Sequence, residues 1–266
     1  MATYVISDIH GCFDEFMGML EKIRFSDADE LILAGDYVDR GQKCMEMLRW
    51  LEACPHNVHP IQGNHDSEYI QNILIMHRVD QTEGLMTAMA SNEEAVALYD
   101  SVKYTLRLSK SPLLDFFDYY GGIEELIKIK GATFGDLTRW ADMLEKYPYY
   151  VRRKVSGREC IVVHAGYAED LSSVRGKYDT LEDFYLYARQ ESIIDGGIRH
   201  GMIVAGHTPT VLIGEFCYTD GEVFRYYDEE KDCIFFDIDC GCVYRDRRMS
   251  ARLACLRLED EETFYL

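Results

Sequence analysis

Hydrophobic positions in this chain form short runs that stop abruptly at small and polar residues. The runs are Thr3–Ile6, Leu31–Ala34 and Val58–Gln62, and they lead into "SDIHG", "GDYVDRG" and "GNHD" respectively. Each run is apolar and partly β-branched, which predicts a buried strand. Three endings of the same kind in the first quarter of the chain indicate a common cause.

Helical periodicity fills the spaces between these predicted strands. Apolar residues recur every three or four positions in Phe13–Ile23 and in Lys43–Ala53, and the second segment stops before Pro55. Strands that alternate with helices imply a core of parallel sheet. Later strands are predicted in "ECIVVHAGY", "GMIVAGHTP", "CIFFDIDCG" and "SARLACLRLED".

The middle of the chain has a different pattern. From residue 67 to about 150, β-branched runs thin out and helical patterns such as "NEEAVALYDSVKYTL" dominate. Strand patterns resume afterwards, so we interpret 67–150 as a mainly helical insertion within a single domain spanning 1–266. The acidic tail "EDEETFYL" is interpreted as a solvated edge.

Composition narrows the classes of function. The 28 lysines and arginines against 47 aspartates and glutamates give a net charge of −19, which disfavours nucleic acids and anionic membranes as partners. Neither a signal peptide nor an apolar run of about 18 residues is apparent, and the nine cysteines contain no C-x-x-C pair. Cys240 and Cys242 are the closest pair. We therefore expect a cytoplasmic protein with reduced thiols, and its oligomeric state stays open.

Polar residues at the strand ends should meet in one place, because sites in open α/β sheets form beyond the carboxyl ends of strands. Alone, an aspartate or asparagine there is usually a turn former, and a histidine is usually a core residue. Together they form a candidate site. Its members are Asp8, His10, Asp36, Asp39, Arg40, Asn64, His65, Asp66, His164 and His207.

Carboxylates, imidazoles and one amide make a mixed oxygen and nitrogen ligand set. Such a set suits manganese, iron or zinc rather than calcium, and we expect two divalent ions, with manganese as the first choice. Asp36 would bridge the two ions. The predicted ligands of the first ion are Asp8 and His10, and those of the second are Asn64, His164 and His207. Two adjacent ions can activate water for an in-line phosphoryl displacement.

Three further residues have predicted roles outside metal binding. Arg40 offers a planar guanidinium to phosphate oxygens. His65 is left without a metal, and Asp39 could orient it as a general acid for the leaving oxygen.

The ordered motifs "SDIHG", "GDYVDRG", "GNHD", "HAG" and "GHTP" resemble the calcineurin-like metallophosphoesterase superfamily, and "GDYVDRG" resembles its serine/threonine phosphoprotein phosphatase branch. The resemblance covers most of the chain and is weakest in the helical insertion. It implies a β-sandwich of two mixed sheets flanked by helices, with the residue roles given above. It also implies a second phosphate-binding arginine between the two late histidines, for which Arg189 in "FYLYARQES" is our choice.

Three departures from the branch leave the substrate open. Ser7 stands where the branch usually has glycine, Asp66 where it mostly has glutamate, and "HAGY" looks bacterial. The main expectation is hydrolysis of phosphoserine or phosphothreonine in proteins. The alternative is hydrolysis of small phosphate compounds such as diadenosine tetraphosphate. A catalytically dead scaffold is a third possibility, which the intact ligand set disfavours.

Overall fold

The computed structural model describes residues 1–83, 91–119, 122–174, 178–189, 195–211, 219–247 and 250–266. The strands in these ranges are β1 (Thr3–Ile6), β2 (Glu30–Leu33), β3 (Val58–Pro60), β4 (Tyr150–Val155), β5 (Arg158–Val163), β6 (Gly201–Ala205), β7 (Phe224–Asp228), β8 (Cys233–Asp237), β9 (Ala254–Arg257) and β10 (Glu262–Tyr265). The helices are α1 (Phe13–Lys22), α2 (Cys44–Glu52), α3 (Asn64–Glu83), α4 (Asn92–Leu108), α5 (Leu113–Tyr119), α6 (Phe134–Leu144) and α7 (Leu181–Tyr187), with a π-helical turn at Glu125–Ile129.

The strands form two mixed sheets of five. The first has the order β10-β9-β1-β2-β3 and the second the order β4-β5-β6-β8-β7. In each sheet three neighbouring strands are parallel, namely β1, β2 and β3 in the first and β5, β6 and β8 in the second. The remaining strands pair antiparallel on the outside. The carboxyl ends of both parallel groups are therefore available to build one site.

Alternating side chains divide the core into three layers. Val5 and Ile32 point between the sheets, where they join a cluster with Val162 and Val204. Their neighbours along the first sheet, such as Ile6, pack against a cluster that includes residues of α1 to α4 and α6. On the outer face of the second sheet, β5 packs against α7. This confirms the predicted sandwich of mixed sheets flanked by helices.

The predicted insertion is helical where the structure describes it and ends near residue 150 as expected, but its first helix begins three residues earlier than expected. α3 begins at Asn64, inside the "GNHD" motif, and β4 begins at Tyr150. Capping boxes start two of its helices: Ser91 with Glu94 begins α4, and Thr133 with Asp136 begins α6. The helical segment is thus continuous with the candidate site at its amino end.

Three strands were missed by the sequence analysis. β4 and β7 expose charged residues and tyrosines along much of their length, so neither shows a clean apolar run. The tail, interpreted as a solvated edge, is an edge strand: residues Glu262–Tyr265 of "EDEETFYL" are partly exposed, form β10 and pair with β9. In the described residues, no helix has the length and apolar character needed to span a bilayer.

Candidate metal centre

The residues predicted to form a site come together at the carboxyl ends of β1, β2, β5 and β6 and at the start of α3. The predicted metal ligands are all buried, with exposed fractions between 0% for His164 and 8% for His207. Asp39 is half-buried and Arg40 is exposed at the rim. Arg189 is also exposed, and it lies in the loop after α7 rather than in a helix.

The loops after β1 and β2 are joined by their backbones. His10 N–H donates to the Asp36 carbonyl at 2.8 Å, and Asp8 N–H donates to the Gly35 carbonyl at 3.1 Å. Asp8, His10 and Asp36 all have positive φ, at 51°, 45° and 59°. A backbone conformation with positive φ is unfavourable for residues other than glycine, and such strain concentrates at functional sites.

Two glycines of the motifs allow the carboxylates to approach the neighbouring backbone. A Cβ on Gly63 would lie 2.2 Å from Oδ1 of Asp36, and a Cβ on Gly206 would lie 2.1 Å from Oδ2 of Asp8. Both distances are far below van der Waals contact. The glycines of "GNHD" and "GHTP" are therefore required by the carboxylates that pack on them.

Asp66 holds the backbone around Asp36 in place, a role that sequence reasoning missed. Its Oδ2 accepts hydrogen bonds from the N–H groups of Asp36 and Gly63, both at 2.9 Å, and its Oδ1 accepts from Tyr37 N–H at 3.0 Å. Burial raises the pKa of this carboxyl to about 6, although the three backbone donors oppose the shift. The aspartate that ends "GNHD" therefore fixes the backbone from which the Asp36 side chain projects.

Asp36 lies between two histidines, and the Nδ1 nitrogen of each histidine already has a hydrogen-bond partner. Nδ1 of His10 lies 2.9 Å from the Val38 carbonyl, and Nδ1 of His164 lies 2.9 Å from the Ala34 carbonyl. A carbonyl only accepts, so each Nδ1 carries the proton, and in a neutral ring Nε2 presents a lone pair. The His10 lone pair faces Oδ2 of Asp36 at 3.3 Å, and that of His164 faces Oδ1 at 3.5 Å.

This arrangement fits a metal ion on each side of Asp36. Burial lowers the pKa of His10 well below its usual value, so its ring is neutral and does not donate to the carboxylate. Lone pairs and carboxylate oxygens at these distances repel each other unless a proton or a metal cation lies between them, and burial raises the pKa of Asp36 well above its usual value. A backbone carbonyl that fixes the tautomer of a histidine is also the usual support for a metal ligand.

The second ligand group converges in the same way. Oδ1 of Asn64 lies 3.0 Å from Nε2 of His164 and 2.9 Å from Nδ1 of His207, and the two imidazole nitrogens are 3.2 Å apart. The Asn64 amide nitrogen donates to Glu68 at 3.4 Å, which keeps its oxygen aimed at the histidines. Nε2 of His207 is buried and has no hydrogen-bond partner among the described residues. These donors fit a divalent cation.

Further buried carboxyl groups lie in this region, and a cation would offset the cost of their charge. The Asp8 carboxylate is buried and accepts the N–H of His207 at 3.0 Å. Asp237 and Asp239, which sequence reasoning missed, are also buried. Burial, together with neighbouring carboxylates, raises the pKa of both well above the usual range. The signal was present in "CIFFDIDCG", which ends in acids as the earlier runs do.

The remaining predicted residues form a chain at the rim of the site. Nδ1 of His65 lies 2.8 Å from Oδ2 of Asp39, and Nε2 lies 2.8 Å from Nη2 of Arg40. Nη1 of Arg40 lies 3.3 Å from Nε2 of His10 and donates to the Tyr244 hydroxyl at 3.1 Å. Burial lowers the pKa of His65, but the charges of Asp36 and Asp39 outweigh it and leave the pKa raised.

Arg189 reaches the edge of the second ligand group. Its Nη1 donates to the Thr208 hydroxyl at 3.4 Å, and Thr208 directly follows His207. Arg40 and Arg189 therefore stand beside opposite ligand groups, one near His10 and the other near His207. Guanidinium groups so placed could bind the oxygens of an anion between them.

Comparison with known proteins agrees with this geometry. The family model described as calcineurin-like phosphoesterase matches residues 1–211. A sandwich of two mixed sheets with clustered carboxylates and histidines at its strand ends is a metallophosphoesterase, and the chain belongs to the calcineurin-like phosphoesterase family. Divalent metals are the cofactors of that family.

Curated relatives match part of the chain. A symmetrical bis(5'-nucleosyl)-tetraphosphatase of Actinobacillus pleuropneumoniae is 35% identical over 127 residues, which cover 46% of this chain and 46% of the relative. The enzyme of the same description from Buchnera aphidicola is 48% identical over 71 residues, or 26% of each chain. The matched stretch thus spans about half or less of the length of these relatives.

Solved structures share the fold. A protein serine/threonine phosphatase from Saccharomyces cerevisiae superposes with a TM-score of 0.55 at 13% identity, covering 100% of this chain and 79% of that one. A metallophosphoesterase from Sphaerobacter thermophilus gives 0.52 at 14% identity, covering 100% and 86%. These likenesses bear on the fold alone.

Proposed function

We propose that the protein hydrolyses the phosphoanhydride bond of bis(5'-nucleosyl) tetraphosphates such as diadenosine tetraphosphate. The observation that carries hydrolysis of a phosphate ester or anhydride is the position of Asp36, whose two oxygens face His10 and His164 in two separate ligand groups. The choice of substrate rests on the activity named for the relatives with which the chain shares 35% and 48% identity.

For the ligands we keep the division expected from the sequence. Asp8, His10 and Asp36 would hold one divalent ion, and Asp36, Asn64, His164 and His207 would hold the other. When bound, such a pair activates a water and neutralises charge on the transferring phosphoryl group. Manganese is our first choice, with iron or zinc as alternatives, because the donors are mixed oxygen and nitrogen.

Side chains at the rim handle the substrate. Arg40 presents two guanidinium nitrogens toward the site and would bind non-bridging phosphate oxygens, with Arg189 contributing from beside Thr208. His65, held by Asp39, would supply a proton to the leaving oxygen. A tetraphosphate cleaved at its centre releases a nucleoside diphosphate, which is stable as an anion near neutral pH. Hydrolysis of this substrate should therefore depend more on phosphate binding by the arginines than on a proton from His65.

Hydrolysis of phosphoserine or phosphothreonine is the second candidate, and one observation favours it. An alkoxide leaving group needs a proton, and the 2.8 Å contact between His65 and Asp39 provides an oriented acid. The comparisons support the tetraphosphate more directly than this first expectation, since the curated relatives reported above are tetraphosphatases.

The test is a substrate panel with purified protein loaded with manganese. Diadenosine tetraphosphate and phosphoserine peptides are compared by kcat/KM, and nucleotide products are separated by chromatography. We expect the tetraphosphate to be preferred and to yield two molecules of ADP. Preference for the peptides would reject the proposal, and a yield of ATP with AMP would reject symmetrical cleavage.

A further inference from the structure

A group of side chains beside the metal centre has no part in the proposed hydrolysis. It consists of Cys12, Glu15, Cys242 and Arg245. The two sulfurs and a carboxylate oxygen of Glu15 lie within 4.8 Å of one another. Cys12 follows His10 by two positions, and Cys242 opens a 3₁₀ turn at Cys242–Tyr244. The two thiols thus lie on two different loops, both of which border the site.

Arg245 makes this group unsuitable for a metal ion. Its Nη1 donates to the Cys12 sulfur at 3.2 Å, and its Nη2 pairs with Glu15 at 2.8 Å. The only carboxylate of the group is therefore already neutralised. A divalent ion placed there would also stand against a guanidinium that cannot lose its charge. Chemistry between the two thiols fits the group better.

A small oxidant has a route to Cys12. The side chain is only 4% exposed, but it lines a cavity of about 210 Å³ together with Arg40, Val243 and Arg245. That cavity lies beside the phosphate-binding arginine. A molecule of the size of a peroxide could therefore reach the sulfur without local unfolding.

The 3₁₀ turn connects the thiol pair with Arg40. The sulfur of Cys242 at its start lies within 4.8 Å of that of Cys12. Tyr244 at its end accepts the hydrogen bond from Arg40 at 3.1 Å. A disulfide requires sulfurs about 2.0 Å apart, so bonding draws the turn toward the loop after β1. Because the turn is only three residues long, a shift of its first residue would also move Tyr244 and weaken its contact with Arg40.

We propose that Cys12 and Cys242 form a reversible disulfide that lowers phosphoester hydrolysis by displacing Arg40. A hydroperoxide is the oxidant. The Cys12 sulfur attacks its O–O bond, which breaks to give a sulfenic acid and an alcohol or water. The Cys242 sulfur then forms the S–S bond, the S–O bond breaks, and the oxygen leaves as water with the Cys242 proton. A dithiol reverses the reaction by exchange.

The test uses the full-length protein loaded with zinc, because zinc has no redox chemistry of its own. Wild type, Cys242→Ser and the matched control Cys54→Ser, whose thiol lies outside the group, are treated with hydrogen peroxide and then with dithiothreitol. Peptide mass spectrometry identifies the crosslink, and hydrolysis of an aryl phosphate measures activity. The link to activity rests on the role proposed for Arg40, whereas the disulfide is read independently of it.

We expect a Cys12–Cys242 peptide in oxidised wild type and in Cys54→Ser. We also expect a loss of kcat/KM of roughly tenfold, as for one hydrogen bond to a charged group, that dithiothreitol restores. Cys242→Ser should show neither the peptide nor the reversible loss. A Cys12–Cys44 crosslink, or oxidation of Cys54 without the Cys12–Cys242 peptide, overturns the proposal. So does the peptide without a change in kcat/KM. A wild type that is inactive on diadenosine tetraphosphate before oxidation, with zinc and with manganese, rejects the proposed function, while the mass spectrum still decides the disulfide.

Discussion

Nη2 of Arg40 lies 2.8 Å from Nε2 of His65, and Nδ1 of the same ring lies 2.8 Å from Asp39. Since arginine only donates, Nε2 of His65 can take part in this contact only as an acceptor, even though Asp36 and Asp39 raise the pKa of the ring. Arg40, which is proposed to bind phosphate, thus donates a hydrogen bond to Nε2 of His65, the nitrogen proposed to carry the catalytic proton. A phosphate that draws Arg40 away would free Nε2 to hold that proton, which ties substrate binding to the acid.

The first prediction concerns the acid. His65→Asn should lower kcat for a phosphoserine peptide by roughly 10²-fold or more. The effect should be smaller for an aryl phosphate and for diadenosine tetraphosphate, because their leaving groups need little protonation. Steady-state kinetics on the three substrates checks this order. Metal content, measured by elemental analysis, should stay near that of the wild type, and its loss would mean that His65 is a ligand.

Arg40 is expected to act through the shape of its side chain as well as its charge. Arg40→Ala should lose about 2–4 kcal/mol of transition-state stabilisation, by analogy with other electrostatic groups. Arg40→Lys keeps the charge but not the planar pair of donors, so it should remain markedly impaired. Kinetics and inhibition by free phosphate measure both variants. Normal phosphate inhibition in Arg40→Ala would contradict the assignment.

Arg189 lies at the edge of the second ligand group, and a matched variant isolates its role. Arg189→Ala should weaken phosphate inhibition and lower kcat/KM, since the guanidinium lies beside Thr208 next to His207. Arg199→Ala removes another exposed arginine from the same part of the chain and should match wild type. Equal behaviour of the two variants would remove Arg189 from the site.

Much of the fold could be predicted because buried strands carry an uninterrupted apolar signal. β1 and β2 are buried along nearly their whole length, and their predicted positions agree with the structure to within one residue. β7 has the burial pattern of an edge strand, with three exposed residues in the middle, and gave no such signal. A strand at the edge of a sheet pairs with only one neighbour and need not be apolar. Its sequence therefore lacks the apolar run by which a buried strand is predicted.

The candidate site was predictable where a residue acts through its side-chain chemistry, and not where it acts through position. His10 and His164 could be chosen because imidazoles at strand ends suggest ligands. The role of Asp66 could not be read in the same way, because its three backbone donors come from residues up to 30 positions away. The Tyr244 contact to Arg40 spans 204 positions and has no local signal.

The shared position of Asp36 gives a prediction for metal content. Asp36→Asn should lower the amount of both ions, because its two oxygens face different ligand groups. His10→Ala and His207→Ala should each remove one of the two bound ions, which leaves about one ion per chain. Elemental analysis after dialysis against limiting manganese measures the stoichiometry. One tightly bound ion per chain in fully active wild type would reject the two-ion centre, and chelation should abolish activity until manganese is returned.

The last prediction concerns Asp66, whose carboxylate accepts three buried N–H groups. In Asp66→Asn one oxygen can still accept from Asp36 and Gly63, but the amide nitrogen then faces the N–H of Tyr37. A buried donor left without an acceptor costs about 1–3 kcal/mol, so the free energy of unfolding should fall by that amount. Denaturant unfolding of metal-free protein measures it, and Asp27→Asn, an exposed change of the same chemistry, should be neutral.

Because the same carboxylate fixes the backbone of Asp36, manganese affinity should fall as well, even though Asp66 is not a proposed ligand. Unchanged stability with reduced affinity would instead place Asp66 among the ligands.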